Sequence, residues 1–419
     1  MYKLKKILKI LGPGLLYAGA AVGVSHLVQS TRAGALFNFD LVWVLIIVNL
    51  LKYPFFEFGP RYAVATGSNL VDGYKKVGTW AVSLFAIITV ASMFILQAAV
   101  TVVTVGLISY VFKLTISITA LSIIVLLLAL VVLVFGKYNL LDKVIKFIIV
   151  LLAVSTIVAV FAALGIHKEI TPDALQHFTW TSSADIFFLI AFIGWMPAPI
   201  DVSIWSSVWN IAKAKELGYV PSLKNALTEF RIGYFGTAFL AAGFLAMGAL
   251  VMYGTGEELS SSGIKFSEQL INLYTTSLGN WAYWLVSIAA VTTMISTTIT
   301  VMDAYPRVLS PIFQNLFPGS WKKIKNKQSL TWLWFAVLTI GTSSIIAFAA
   351  KSMGAMVNLA TTLSFLTAPV MAWLNYKVVT DKHMPIEAVP GLFLKILSWI
   401  GIGFFIAFSL VYLYWRYLS

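Results

Sequence analysis

Four side chains able to bind an ion or carry charge stand within apolar runs of this sequence: His26, Lys52, Met196 and Asp201. Met196 offers a soft, neutral thioether and His26 an imidazole, both usable by a transition metal. Asp201 suits three roles: cation ligand, proton carrier, or partner of Lys52. Lys52 lies too deep in its run to reach the membrane interface easily, and an intramembrane lysine faces a cavity or a carboxylate. A structural pairing and a cationic site for an anion are both open to it. A further group is the hydroxyl run containing Thr293, Ser296 and Thr297. Such hydroxyls either bond back to carbonyls one turn earlier or, with carbonyls freed elsewhere, ligate a hard cation such as sodium.

The elements that must position these groups are interrupted helices. Pro197 and Pro199 fall near the middle of an apolar run from about 185 to 209. Each proline removes a backbone donor and clashes with the turn before it. In hydrocarbon, the freed groups must find protein partners or line a wet cavity. A kink serving packing alone is the plainer alternative. The first apolar run carries Gly12, Pro13 and Gly14, then Gly19, Gly23, Ser25 and His26. Small and polar residues at that depth weaken the helix and allow close backbone approach. The two interruptions lie five spans apart, which points to paired inverted repeats with a binding site between half-helices. Two acid–base pairs at helical spacing, Glu57 with Arg61 and Asp303 with Arg307, read as local ion pairs.

Of the 419 residues, 60% are hydrophobic and 11% charged, and the mean hydropathy is +0.90. That composition defines a polytopic helical membrane protein. Eleven spans are expected, near 12–31, 41–63, 81–110, 115–136, 144–164, 185–209, 232–253, 281–302, 330–350, 354–376 and 394–415. With the N-terminus inside, alternate segments divide Lys and Arg as twenty-two inside against six outside, with Lys52 left in a span. This asymmetry predicts a cell (inner) membrane protein with N-terminus cytoplasmic and C-terminus extracytoplasmic. The net charge of +13 is thus topological and requires no nucleic acid. The basic start resembles a signal peptide, but more spans follow it, so an uncleaved first span is expected. Cysteine is absent, excluding disulfides and thiolate chemistry.

Gly12 to Gly14, the run Trp43 to Leu45, Asn49, Arg61, Thr66 and Gly67, and the pair Met196 and Pro197 together resemble the NRAMP family of proton-coupled divalent-metal transporters. The resemblance implies a LeuT-type fold: two inverted five-helix repeats, with broken helices 1 and 6. Here the repeats would cover about 12–164 and 185–376, with an extra helix at about 394–415, in one integral domain. It also implies a metal site, from which this chain departs. The family's DPGN motif falls on Gly23, Val24, Ser25 and His26, and its methionine on Met196. Its sixth-span histidines fall on Ala198 and Ser203, and its third-span proton carriers on Leu96 and Ala99. Its tenth-span glutamine falls on Ala360.

The expectation is therefore a monomeric secondary-active transporter of a small ion, a cation by family analogy, working by alternating access with an altered metal site and proton route. The alternative is a sodium- or proton-coupled carrier of a small organic anion or zwitterion, and a further one an uncoupled uniporter or channel. No HExxH, P-loop or nucleophile elbow supports an enzyme. The expected substrate site comprises Gly19, Gly23, Ser25, His26, Lys52, Met196, Ala198 and Asp201. Met196, His26 and Asp201 would form any rebuilt metal site, and Thr293, Ser296 and Thr297 a sodium site. No cofactor is expected beyond Na+ or H+ as coupling ion. The partners are the small substrate and the lipid bilayer.

Overall fold

The computed structural model describes residues 13–135, 138–349 and 352–417. Gly12, the first lysines and Lys351 lie outside the described residues. Secondary structure among the described residues is helical throughout. Seven helices are long and apolar enough to cross a membrane. These are span 2 (Val42–Thr66), span 3 (Thr79–Val111), span 7 (Leu223–Met247, continuing as a π-helix over Gly248–Met252), span 8 (Ala282–Leu316), span 9 (Lys327–Phe348), span 10 (Met353–Val379) and span 11 (Leu392–Tyr417). Span 4 (Ile118–Phe135) and span 5 (Tyr138–Ala163) complete the unbroken set. Spans 1 and 6 are broken. Span 1 runs Pro13–Ala21, then resumes as π-helical Ser25–Ser30 and α-helical Thr31–Phe37. Span 6 runs Ser183–Trp195 and Asp201–Leu217.

Local chemistry explains the span 6 break. The Ser182 side chain caps the first half by accepting from the Asp185 N–H at 3.3 Å. The half ends where Met196 turns extended (φ −90°, ψ 120°), the conformation favoured before proline. The second half begins when the Val202 N–H reaches the Pro199 carbonyl at 3.1 Å. In span 1, Gly19 and Gly23 flank the break, and Gly23 lets another helix approach closely, as described below.

The broken spans form the centre, packed against spans 2, 7, 8 and 10, with span 3 meeting them at a central cavity. Spans 9 and 11 are the most exposed, as expected of helices facing lipid. The structure adds helices where the hydropathy reading sees only connections: Leu70–Val77 after span 2 and Gly263–Leu278 between spans 7 and 8. Span 8 also continues to Leu316, well past the apolar run.

Both acid–base pairs form, and each reaches a second span. Buried Glu57 accepts from Arg61 Nε at 3.2 Å and from Arg231 Nη2 of span 7 at 3.2 Å, and the Tyr53 hydroxyl donates to it. Asp303 accepts from Arg307 at 2.7 Å and from Trp209 Nε1 of span 6 at 3.1 Å.

The second half of span 1 and the end of span 7 touch backbone to backbone. A Cβ on Gly34 would stand 1.9 Å from the Leu245 carbonyl oxygen, and one on Gly248 2.2 Å from that of Thr31. In an exposed helix Gly→Ala stabilises by roughly 1 kcal/mol. Here the sign reverses, because backbone must move. Gly34→Ala and Gly248→Ala should each destabilise by about 1–3 kcal/mol, seen as a lower melting temperature in detergent. A rise in either would contradict the contact.

Candidate functional site

The span 6 break leaves carbonyls short of helical donors, and Lys52 takes three of them, of which Ile193 also accepts from the Met196 N–H at 3.3 Å. Its Nζ donates to the carbonyl oxygens of Ile193 at 2.7 Å, Gly194 at 2.8 Å and Ala198 at 3.2 Å. An ammonium has three donors, so all are engaged. Lys52 is fully buried, at 0% exposure. Of the two roles open to it in the sequence, the geometry shows a cage of backbone acceptors around a tethered cation. Asp201 is not in ion-pair contact with it. That carboxylate sits at the first position of the second half of span 6, where the helix dipole favours negative charge.

Beside this cage lies a small cavity of about 20 Å3 between spans 1, 3, 6 and 8, room for roughly one water. Ser25, Ala198 and Thr297 line it, with Leu96, Trp195 and Trp205 as apolar walls. His26, Lys52, Met196 and Asp201 are not among the described residues lining it. The His26 ring is engaged on both sides. Its Nε2 donates to the Thr237 carbonyl at 2.9 Å, and its Nδ1 lies 2.7 Å from Ser25 Oγ. Ser25 Oγ also reaches the carbonyl of Ala21 at 2.8 Å and that of Pro197 at 3.2 Å, bridging the two breaks. The geometry thus does not gather Met196, His26 and Asp201 around one opening. Among the described residues no group of three or more His, Asp or Glu side chains could hold a metal ion.

The hydroxyl run is differently placed. Thr297 Oγ1 lies 3.0 Å from the Val22 carbonyl oxygen, 3.3 Å from that of Gly19 and 3.0 Å from that of Thr293. One hydroxyl proton cannot satisfy three acceptors. Thr293 Oγ1 and Ser296 Oγ, on the same turns of span 8, are buried with no hydrogen-bond partner. Gly23 permits this approach: a Cβ there would fall 2.8 Å from Thr297 Cγ2. The result is an excess of neutral oxygen acceptors where span 1 breaks, the surroundings a hard monovalent cation prefers.

Behind it, Thr104 of span 3 and Thr298 of span 8 pair at 2.7 Å. Asn375 of span 10, which the sequence reading missed, receives a bond from Tyr74 at 2.5 Å and donates to Ser203 Oγ at 2.7 Å. An amide near the C-terminal end of an apolar span was the available signal.

Comparison with known proteins now places the chain. The family profile described as natural resistance-associated macrophage protein-like matches residues 14–415. The chain belongs to the NRAMP family. It is a multi-pass membrane transporter and not an enzyme. An uncharacterized protein of Pasteurella multocida is 36% identical over 406 residues, covering 96% of this chain and 91% of that one. Among solved structures, the Eremococcus coleocola manganese transporter superposes with a TM-score of 0.67 at 12% identity, over 97% of this chain and 86% of that one. Mhp1, a nucleobase-cation-symport-1 family transporter captured closed with bromovinylhydantoin bound, gives 0.60 at 11% identity, over 97% and 92%. These likenesses show the LeuT-type fold.

Removing the ammonium orphans the buried carbonyls of Gly194 and Ala198, each costing roughly 1–3 kcal/mol, and leaves that of Ile193 only the Met196 N–H at 3.3 Å. Lys52→Met should therefore destabilise by about 3 kcal/mol or more. Lys52→Arg should not restore stability, since a larger planar guanidinium does not fit a cage closed around a compact ammonium. Thermal unfolding in detergent checks both, and a wild-type melting point for Lys52→Met would remove the cage.

Proposed function

We propose that this NRAMP-family chain is a sodium-coupled secondary transporter whose cargo is a small organic anion or zwitterion. The observation that carries the reading is the convergence of the Gly19, Val22 and Thr293 carbonyls on Thr297 Oγ1, beside the unpartnered hydroxyls of Thr293 and Ser296. Sodium there would join the first half of span 1 to span 8, so binding would bias the angle between them. That is how a coupling ion controls access to a site between half-helices.

Four features favour an anionic or zwitterionic cargo over a divalent metal. The span 6 carbonyls that could ligate a cation already hold the Lys52 ammonium. That fixed charge, one backbone carbonyl behind the cavity wall at Ala198, opposes a divalent ion and attracts an anion. The cavity walls carry no carboxylate among the described residues, whereas a divalent ion in a partly dry site needs at least one. Trp195, Trp205 and Leu96 suit the apolar body of an organic solute. The chamber is closed in this conformation, and cargo larger than a water would enter as the half-helices part. Mhp1 offers a precedent on the same fold, being assigned to a cation-symport family and binding an organic molecule.

The competing reading, a metal-ion cargo, is favoured by the fold match to a manganese transporter and by the position of Met196 at the break. Proteoliposomes separate the two. A sodium gradient should drive uptake of a small monocarboxylate or amino acid from a panel, while Mn2+ uptake should stay at the level of empty vesicles. Thr297→Ala and Ser296→Ala should each raise the sodium concentration for half-maximal uptake by about tenfold, equivalent to roughly 1.4 kcal/mol. Manganese uptake indifferent to sodium would reject the proposal.

A further inference from the structure

A second pocket opens at the face where spans 1 and 11 end and spans 6 and 10 begin. It measures about 320 Å3, against 20 Å3 for the central cavity. Arg32, Arg416, Asn358, Asp185, Phe188 and Tyr412 contribute to its wall. Arg32 stands on the second half of span 1, seven residues beyond Ser25, which is about 10 Å along a helix axis. Its Nη1 donates to Asn358 Oδ1 at 3.3 Å, and its guanidinium carbon lies 5.4 Å from the centre of the Phe188 ring. Among the described residues, neither Arg32 nor Arg416 forms an ion pair. The wall's own acid, Asp185, is turned elsewhere: its Oδ2 accepts from the N–H and the hydroxyl of Thr179, both at 3.0 Å.

Two guanidinium groups without carboxylate partners among the described residues therefore face one recess. Guanidinium forks bind carboxylates through parallel charge-assisted bonds. Phe188 and Tyr412 offer aromatic surface for an apolar body beside the charge. The walls belong to both broken spans, so an occupant sits directly beyond the half-helices that enclose the central chamber.

We propose that this pocket is an outer carboxylate site, which holds a small organic monocarboxylate between Arg32 and Arg416 ahead of the central chamber. The assignment rests on the anionic cargo proposed above, and its test needs no sodium. A lipid phosphate would share the same charge chemistry, so the experiment carries an arm for each source.

Purified full-length protein in non-ionic detergent is titrated calorimetrically with potassium benzoate in sodium-free buffer, and separately with phosphatidylglycerol. Benzoate should bind the wild type. Arg32→Gln and Arg416→Gln should each weaken that binding at least tenfold. Arg416 lies on an exposed helix end, so its variant keeps the test alive if Arg32→Gln misfolds. Equal benzoate affinity in the wild type and Arg416→Gln would overturn the proposal. So would absence of benzoate binding to the wild type, whether or not phosphatidylglycerol binds in an arginine-dependent way. Arginine-dependent benzoate binding alongside sodium-independent uptake would uphold the pocket and sink the coupling ion alone.

Discussion

The bond set on which the centre of this protein depends is the one between a lysine ammonium and three backbone carbonyls. A helix broken inside a membrane exposes acceptors that hydrocarbon cannot satisfy. In span 6 those of Ile193, Gly194 and Ala198 close on Lys52. The break is stable because span 2 delivers a cation to it, and the cation is tolerated at that depth because the break supplies its solvation. Neither would stand alone. The arrangement also fixes what the neighbouring chamber meets: a positive charge that cannot leave, screened by one peptide group.

The second break is built on the opposite principle. In span 1 the carbonyls of Gly19 and Val22 meet a hydroxyl with a single proton, so demand for positive charge exceeds supply. One broken helix thus carries its own cation and the other lacks one. On the function proposed above, this asymmetry, and not the inherited fold, would separate a coupling ion from a cargo. Superposition at 12% identity establishes how the chain is folded. It leaves open what the side chains at the breaks select.

Much of the architecture was readable in advance. Apolar runs gave the passages, and Pro197, Pro199 and the glycines of span 1 gave the breaks, because both signals are local. The helix Gly263–Leu278 was missed because it is amphipathic: it buries Phe266, Leu270, Ile271, Leu273 and Tyr274 on one side and averages little hydropathy. The site was only half legible. Thr293, Ser296 and Thr297 could be named, since hydroxyls at helical spacing stand out in an apolar run. The partners of Lys52 could not, because they are carbonyls 141 to 146 residues away, and backbone acceptors leave no trace in sequence. His26 looked like a ligand for the same reason: its true partner is the carbonyl of Thr237, 211 residues on.

The close backbone contact of Gly34 and Gly248 has a mechanical meaning. With His26 also bonded to Thr237, the second half of span 1 is fastened to span 7 at two heights. It cannot swing independently, and is in effect a strut of span 7. The first half is tied to span 7 as well, through Tyr17 against Phe230 and Tyr234, and at the break it meets span 8 through Thr297. Both arms of the weakened helix are thus tied to one neighbour, so a bend between Val22 and Val24 has to flex span 7 or slide along it.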